Sequence, residues 1–146
     1  MTTYTIHQEA EITPEDRERI IDGLRAHNRR NAPVPTWRPL HLLLRAEDGS
    51  IHGGLLAESG WEWMQVQFLW VSDDLRGQGF GQALLAKAEE EARAHGCRAI
   101  WLDTHDFQAP TFYERQGYKL FGVLDDYPEG YKRYFYQKSL TQQEGA

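Results

Sequence analysis

A glycine-rich hexapeptide between two differently patterned segments constrains the fold of this chain most. Residues 76–81 read Arg-Gly-Gln-Gly-Phe-Gly, after the apolar run 68–71 and before a helical pattern that begins near Gly79. The first N–H groups of a helix lack internal partners and carry the positive end of its dipole, and glycine lets an anion approach the backbone. The order strand, glycine turn and helix therefore predicts a phosphate-binding loop.

The spacing of the glycines excludes two common phosphate loops. The dinucleotide fingerprint G-x-G-x-x-G would need glycine in place of Gln82, and a nucleoside-triphosphate loop would need lysine directly after Gly81. What remains is R-x-x-G-x-G, with Arg76, Gly79 and Gly81 in register. The alternative is a glycine turn that joins strand and helix and binds nothing.

The R-x-x-G-x-G motif resembles the acyl-CoA pyrophosphate loop of the GNAT N-acetyltransferase superfamily. A downstream segment is similar to that family's pantetheine-contacting arm, which has an Asn, an Ala three residues on, a Tyr four beyond that, and a helix ending in Gly-Phe or Gly-Tyr. Here these places hold Asp106, Ala109, Tyr113 and Gly117-Tyr118. Asp106 replaces the usual Asn, and its alternative role is to cap the following helix.

The resemblance covers residues 4–140 and implies an α/β (α+β mixed sheet) fold. Its expected order is β-α-β-β-β-α-β-α-β-β, with a mostly antiparallel central sheet, a splayed parallel pair and about four flanking helices. Hydrophobic periodicity and turn residues place strands at 3–8, 40–46, 51–58, 61–71, 99–102, 118–124 and 131–138. They place helices after Thr13, from the glycine loop to Gly96, and at 110–116, with an irregular loop at 28–39.

Length and composition predict one domain over residues 1–146, with its core at about 4–140 and a frayed tail at 141–146. A net charge of −6 argues against a nucleic-acid partner. No apolar run of about 20 residues and no secretion signal occurs, so we expect a cytoplasmic protein with no membrane partner. Cys97 is alone and the histidines lack ligand spacing, which predicts a buried Cys97, no disulfide and no metal.

The resemblance implies acetyl-CoA as cosubstrate and assigns the residues that would bind it. The strand before the loop would pair with the pantetheine through Leu69, Trp70 and Val71. The loop amides would hold the pyrophosphate at Arg76, Gly77, Gln78, Gly79, Phe80 and Gly81. The downstream arm would contribute Asp106, Ala109 and Phe112. The Arg76 side chain has two alternatives, which are donation to the phosphates and an exposed salt bridge.

Tyr113 is the predicted proton donor, because a phenol pKa of about 10 lies close to a thiol pKa of about 8.5. The alternative for Tyr113 is a packed aromatic ring. GNAT relatives often carry a basic Glu on the strand before the loop, but that place holds Gln65. Glu62 is the candidate base, acting through water, and its alternative is a solvated surface carboxylate.

The acceptor is described only by its expected surroundings. They are the aromatic residues Trp37, Trp61, Trp63, His105, Phe107 and Tyr127 with the acids Asp125, Asp126 and Glu129. Aromatic rings beside carboxylates are typical of a pocket for an organic cation. We therefore expect acetyl transfer, in a direct ternary complex, to a small-molecule or peptide amine. The alternatives are a CoA-binding regulatory or interaction domain without catalysis and a domain that binds no CoA; a homodimer is possible.

Overall fold

The computed structural model describes residues 1–141, so the predicted tail beyond Thr141 lies outside the described residues. The chain divides into two compact units, Met1–Val34 and Pro35–Ala146. The first unit contains one helix, α1 (Pro14–Asn31). It begins as predicted: the Asp16 N–H donates to Thr13 Oγ1 at 3.0 Å, and Pro14 occupies the first turn.

The predicted strand at 3–8 is wrong. No strand is formed in the first unit, so its alternating pattern has no ladder partner, and Tyr4 and Ile6 are fully exposed. Helix α1 also extends to Asn31, into the predicted 28–39 loop, and none of its residues is buried. The apolar residues Ile20 and Leu24 on its predicted inner face are therefore largely exposed.

The second unit is built on a six-stranded mixed sheet in the order β1-β2-β3-β4-β6-β5. The strands are β1 (Arg38–Arg45), β2 (Ile51–Gly60), β3 (Trp63–Val71), β4 (Ala99–His105), β5 (Lys119–Leu124) and β6 (Arg133–Ser139). Its helices are α2 (Phe80–Ala94) and α3 (Pro110–Arg115), with a short 3-10 turn at Asp73–Leu75. The mixed sheet is confirmed, with three α-helices in residues 1–141 instead of about four.

Helix α2 covers one face of this sheet and makes the core. Its buried residues Leu85, Ala88 and Ala92 belong to one cluster with Leu55 of β2 and Ile100 of β4. Each fully buried large aliphatic side chain contributes about 1.5–3 kcal/mol. This packing fixes the start of α2, and with it the glycine loop, against the end of β3.

A buried polar contact joins α2 to β6 and to the residue that precedes β5. Glu89 of α2 is 7% exposed, and its carboxylate accepts from the Tyr118 hydroxyl and from Lys138 Nζ, each at 2.9 Å. Both carboxylate oxygens therefore have a donor, which offsets the cost of burying the charge.

Strand β3 is paired differently on its two sides. It pairs with β2 along its length, with a bulge that leaves Gln67 without a partner. Its parallel ladder with β4 contains only Trp63, Met64 and Gln65, opposite Ala99–Trp101. Beyond Gln65 the two strands diverge, which is the predicted splayed parallel pair.

The turn between β2 and β3 lies two residues later than predicted. Strand β2 runs to Gly60, and the turn residues are Trp61 and Glu62, with φ of 49° and 66°. Two consecutive left-handed residues are typical of a tight hairpin turn. This register places Glu58 directly opposite Gln65.

Candidate active site

The glycine loop presents a row of main-chain N–H groups at the start of α2. Gly77 and Gly79 have φ of 78° and 86°, which side chains rarely adopt, and a Cβ on either would meet no atom within 4 Å. The Ala83 N–H donates to the Gly79 carbonyl, but within residues 1–141 the N–H groups of 77–82 have no acceptor. Together with the helix dipole, these donors favour an anion.

The diverging strands provide the second part of the site. Leu69, Trp70 and Val71 lie on β3 beyond its last pair with β4, and they remain paired with β2 on the other side. The edge of β3 that faces β4 is therefore outside any ladder over this stretch. Such an edge can accept hydrogen bonds from, and donate them to, an extended ligand.

Helix α3 adjoins the glycine loop. A Cβ on Gly81 would lie 3.5 Å from Phe112 Cζ, which is ordinary van der Waals contact. Ala109 is the N-cap residue of α3 and makes no side-chain cap hydrogen bond, so the capping role of Asp106 is wrong. Asp106 instead accepts from the Lys132 N–H at 3.0 Å through Oδ2, and its buried Oδ1 has no partner in residues 1–141.

Tyr113 of α3 is half-buried within an aromatic cluster. Its ring centroid lies 5.1 Å from that of Phe112 and 6.1 Å from that of Tyr136. Burial, and secondarily the nearby Asp103 carboxylate, raise the pKa of Tyr113 from 10 to about 12. Asp103 is held by Arg133, whose Nη2 lies 2.7 Å from its Oδ1. The phenol is therefore fully protonated at neutral pH.

The two charged residues predicted for the site, Arg76 and Glu62, form exposed ion pairs. Arg76 forms an exposed ion pair with Asp73, with 3.2 Å between Nε and Oδ1. Glu62 lies in the β2–β3 turn, 3.6 Å from Arg98 Nε, and its side chain is 66% exposed. This turn is at the opposite end of β3 from the glycine loop, so the structure does not bring Glu62 to the loop.

The predicted acceptor aromatics form two separate groups. Trp37 and Trp61 meet edge to face at 5.6 Å, whereas His105 stacks on Phe107 at 4.9 Å and lies 5.7 Å from Tyr127. The first group lines a cavity of about 330 Å³, here called the tryptophan pocket. Its lining residues are Trp37, Glu58, Gly60, Trp61, Trp63, Gln65 and Trp101.

Sequence reasoning missed three members of this pocket, Glu58, Gly60 and Trp101. Glu58, Gln65 and Trp101 form one row across β2, β3 and β4. The signal for Glu58 is the hairpin register, which follows once the turn is placed at Trp61 and Glu62. Trp101 is part of the apolar run that correctly predicted β4.

Cys97 and the potential metal ligands are further reactive side chains of residues 1–141. Cys97 is buried, as predicted, and burial raises the pKa of its thiol. Within residues 1–141, no group of three or more His, Cys, Asp or Glu side chains is arranged to hold a metal ion. None of the helices in this part of the chain combines the length and apolar character that a membrane crossing requires.

Comparison with known proteins decides the family. A model of the acetyltransferase (GNAT) family matches residues 4–118, which include the glycine loop and α3. The chain belongs to the GNAT acetyltransferase family. It is 41% identical to blasticidin-S acetyltransferase of Streptomyces morookaense over 115 residues, covering 76% of this chain and 85% of that protein.

Two further relatives agree with this assignment. An acetyltransferase of Agrobacterium fabrum is 38% identical over 116 residues, covering 80% of this chain and 85% of the relative. A crystal structure of an acetyltransferase from Bacillus cereus superposes with a TM-score of 0.83 at 32% identity, covering 91% of this chain and 97% of that one. The chain is therefore an acyl-CoA-dependent acetyltransferase with the GNAT fold.

The structure fits the acetyl-CoA that GNAT enzymes use. The amides of 77–82 that lack an acceptor in residues 1–141 suit a pyrophosphate, and the open surroundings of Gly77 and Gly79 leave room for it. The free edge of β3 suits the amide groups of an extended pantetheine. The residues that would contact it beyond the loop are those on β3 and at the start of α3.

Proposed function

We propose that this enzyme transfers the acetyl group of acetyl-CoA directly to a primary amine of a small cationic molecule. The observation that carries the proposal is one arrangement in the same unit: loop amides and a β3 edge that have no partner within residues 1–141, together with the Tyr113 phenol of α3. The cosubstrate supplies an activated acetyl thioester. The loop and the β3 edge hold it, so that the transfer becomes a reaction between positioned groups.

Tyr113 acts as the general acid in this proposal. The amine nitrogen forms a bond to the acetyl carbon, and the bond from that carbon to sulfur breaks with its electron pair leaving on sulfur. Tyr113 donates its phenolic proton to the departing thiolate, and the amine proton passes to water. The Tyr113 phenolate then takes up a proton from solvent, which balances the proton released by the amine and restores the phenol.

The raised pKa of Tyr113 changes how well it matches the leaving group. A phenol of pKa about 12 is a weaker acid than an exposed tyrosine, but it is protonated at every physiological pH. The burial that raises its pKa also disfavours the thiolate in the same site, because desolvation penalises any anion. Burial therefore raises the pKa of the Tyr113 phenol and the pKa of the departing CoA thiol together.

Glu62 is the proposed proton acceptor, acting through a water molecule. Its exposed carboxylate lies next to Trp61 of the tryptophan pocket, and Arg98 keeps a positive charge beside it. The amine must lose a proton before or during attack, because an alkylammonium has a pKa of about 10. The expected contribution is small, since water can accept the proton directly.

The small-molecule acceptor is supported by the relatives and by the charge of the chain. The relative at 41% identity is named for acetylating blasticidin S. A net charge of −6 raises the local concentration of cations. Aromatic rings beside carboxylates supply the matching recognition surface.

The decisive experiment measures release of free CoA thiol from acetyl-CoA with a panel of primary amines. Tyr113→Phe should lower kcat by about 100-fold, with the KM for acetyl-CoA unchanged. The matched control is Tyr4→Phe, because Tyr4 is exposed in the first unit. Normal turnover by Tyr113→Phe would contradict the role of Tyr113 as the general acid. Absence of turnover with every amine of the panel would contradict the proposed reaction.

A second comparison tests Glu62. Glu62→Gln should lower kcat about threefold below pH 8 and have no effect near pH 10, where the free amine is abundant. A change that is the same at every pH would contradict proton acceptance and indicate a structural role in the turn.

A further inference from the structure

The tryptophan pocket contains a carboxylate that the proposed reaction does not use. Glu58 is half-buried on β2, and within residues 1–141 no side chain forms an ion pair or hydrogen bond with it. A carboxylate partly removed from water is costly unless a positive group compensates it. The described part of the chain supplies no such group, so a ligand is the natural source.

The walls of the pocket also select for a cation. Four of the five tryptophans line it, namely Trp37, Trp61, Trp63 and Trp101. The indole face is the best aromatic partner for a positive charge. A cavity of about 330 Å³ is large enough for an ammonium or guanidinium group with a short carbon chain.

The position of Glu58 separates this cation from the reacting amine. Glu58 lies opposite Gln65, and Gln65 forms the last β3–β4 pair with Trp101 before those strands diverge. Neighbouring strands are about 4.8 Å apart. A group bound at Glu58 therefore lies one strand to the side of the splayed opening, and a second group of the same molecule can reach into it.

We propose that Glu58 and the tryptophan rings form an acceptor subsite for a second cationic group. The preferred acceptor then carries one amine that is acetylated and another positive charge that stays in the pocket. The transfer step rests on the proposed function, whereas cation binding at Glu58 is a property of the pocket itself.

Cation binding is tested without any reaction, by titrating the tryptophan fluorescence of the protein with tetramethylammonium. This probe has no N–H and cannot be acetylated. Saturable quenching is expected for the wild type, with Kd raised about tenfold in Glu58→Gln. Glu58→Asp should retain most of the affinity, and the control Glu47→Gln, an exposed residue of the β1–β2 turn, should match the wild type.

The acceptor role is tested by comparing putrescine, which has two ammonium groups, with butylamine, which has one. The ratio of their kcat/KM values should favour putrescine, and Glu58→Gln should lower that ratio about tenfold, with the KM for acetyl-CoA unchanged. Equal tetramethylammonium affinity in the wild type and Glu58→Gln, or an unchanged ratio, would overturn the subsite. Absence of transfer to both amines, with Glu58-dependent binding of tetramethylammonium intact, would instead count against the proposed reaction and leave the cation site supported.

Discussion

The two ends of β3 recognise ligands in opposite ways. After Val71 the glycine loop presents main-chain N–H groups, and its glycines matter because they lack side chains. At the other end of β3 the tryptophan pocket consists almost entirely of side chains, namely four indoles, the Glu58 carboxylate and the Gln65 amide. The difference teaches that the first region depends on the backbone conformation of its glycines, whereas the second depends on the type and position of its side chains.

The largest effect is expected from Gly79→Val in the glycine loop. A β-branched residue is strongly disfavoured at φ of 86°, so the loop must refold and its amides move. Loss of two charge-assisted hydrogen bonds, at about 1.5 kcal/mol each, raises the KM for acetyl-CoA about 100-fold. Gly79→Asn is the matched control, because Asn tolerates the left-handed conformation; equal KM values for the two variants would contradict this account.

The next effect concerns Tyr113, which is supplied by α3 beside the glycine loop. Its folded pKa of about 12 exceeds the ordinary value of 10, so the unfolded chain loses this proton first as the pH rises. The resulting stability is complete below pH 10 and is lost between pH 10 and about 12. Over that interval, the unfolding free energy of Tyr113→Phe should fall by about 2 kcal/mol less than that of the wild type.

Denaturant titrations across the alkaline range make this measurement. Because Tyr118 and Tyr136 also have raised pKa values, both proteins should lose stability, and the difference between them reports Tyr113. Parallel curves for wild type and variant would show that the phenol ionises as freely as in the unfolded chain.

A smaller effect, confined to the tryptophan pocket, is expected from Gly60→Ala. The new Cβ would lie 2.3 Å from Trp37 Cε3, so the indole must move out of the pocket wall. The KM for the amine should rise about tenfold while the KM for acetyl-CoA stays unchanged. The control is Gly122→Ala, where the nearest atom, Phe135 Cβ, is 3.7 Å away. Equal changes in both KM values would show that the two ends of β3 are not independent.

The smallest effect is expected from Arg76→Gln, which changes a side chain in the glycine loop, where main-chain N–H groups are expected to bind the phosphates. Arg76 is exposed and already paired with Asp73, so its attraction for phosphate is screened. The KM for acetyl-CoA should rise about threefold at low salt and converge with the wild type at high salt. A salt-independent loss of 100-fold would mean that the guanidinium, rather than the amides, dominates binding.

The glycine loop could be predicted because its signal is local. A strand, left-handed glycines and a helix start follow one another in the sequence, and the structure has all three in that order. The buried strand β4 and the Thr13 cap were predictable for the same reason. Their determinants lie within a few residues of each other.

The tryptophan pocket could not be predicted fully, because it depends on register. Placing the turn at Ser59 and Gly60 pairs Glu58 with Trp61, whereas the observed turn pairs it with Gln65. The turn residues Trp61 and Glu62 are atypical of two left-handed positions, which favour Asn and Gly. The false strand at 3–8 has a related cause, since alternation alone does not supply a neighbouring strand.

The short β3–β4 ladder has a mechanical consequence. With only three paired positions on each strand, β1-β2-β3 and β4-β6-β5 are two half-sheets joined at a narrow seam. An extended molecule lying in the gap would pair with the edge of β3 as an additional strand and so continue the sheet across the gap. The rate of backbone amide hydrogen exchange in β3 beyond Gln65 should therefore be low when a ligand fills the gap and high when the gap is empty.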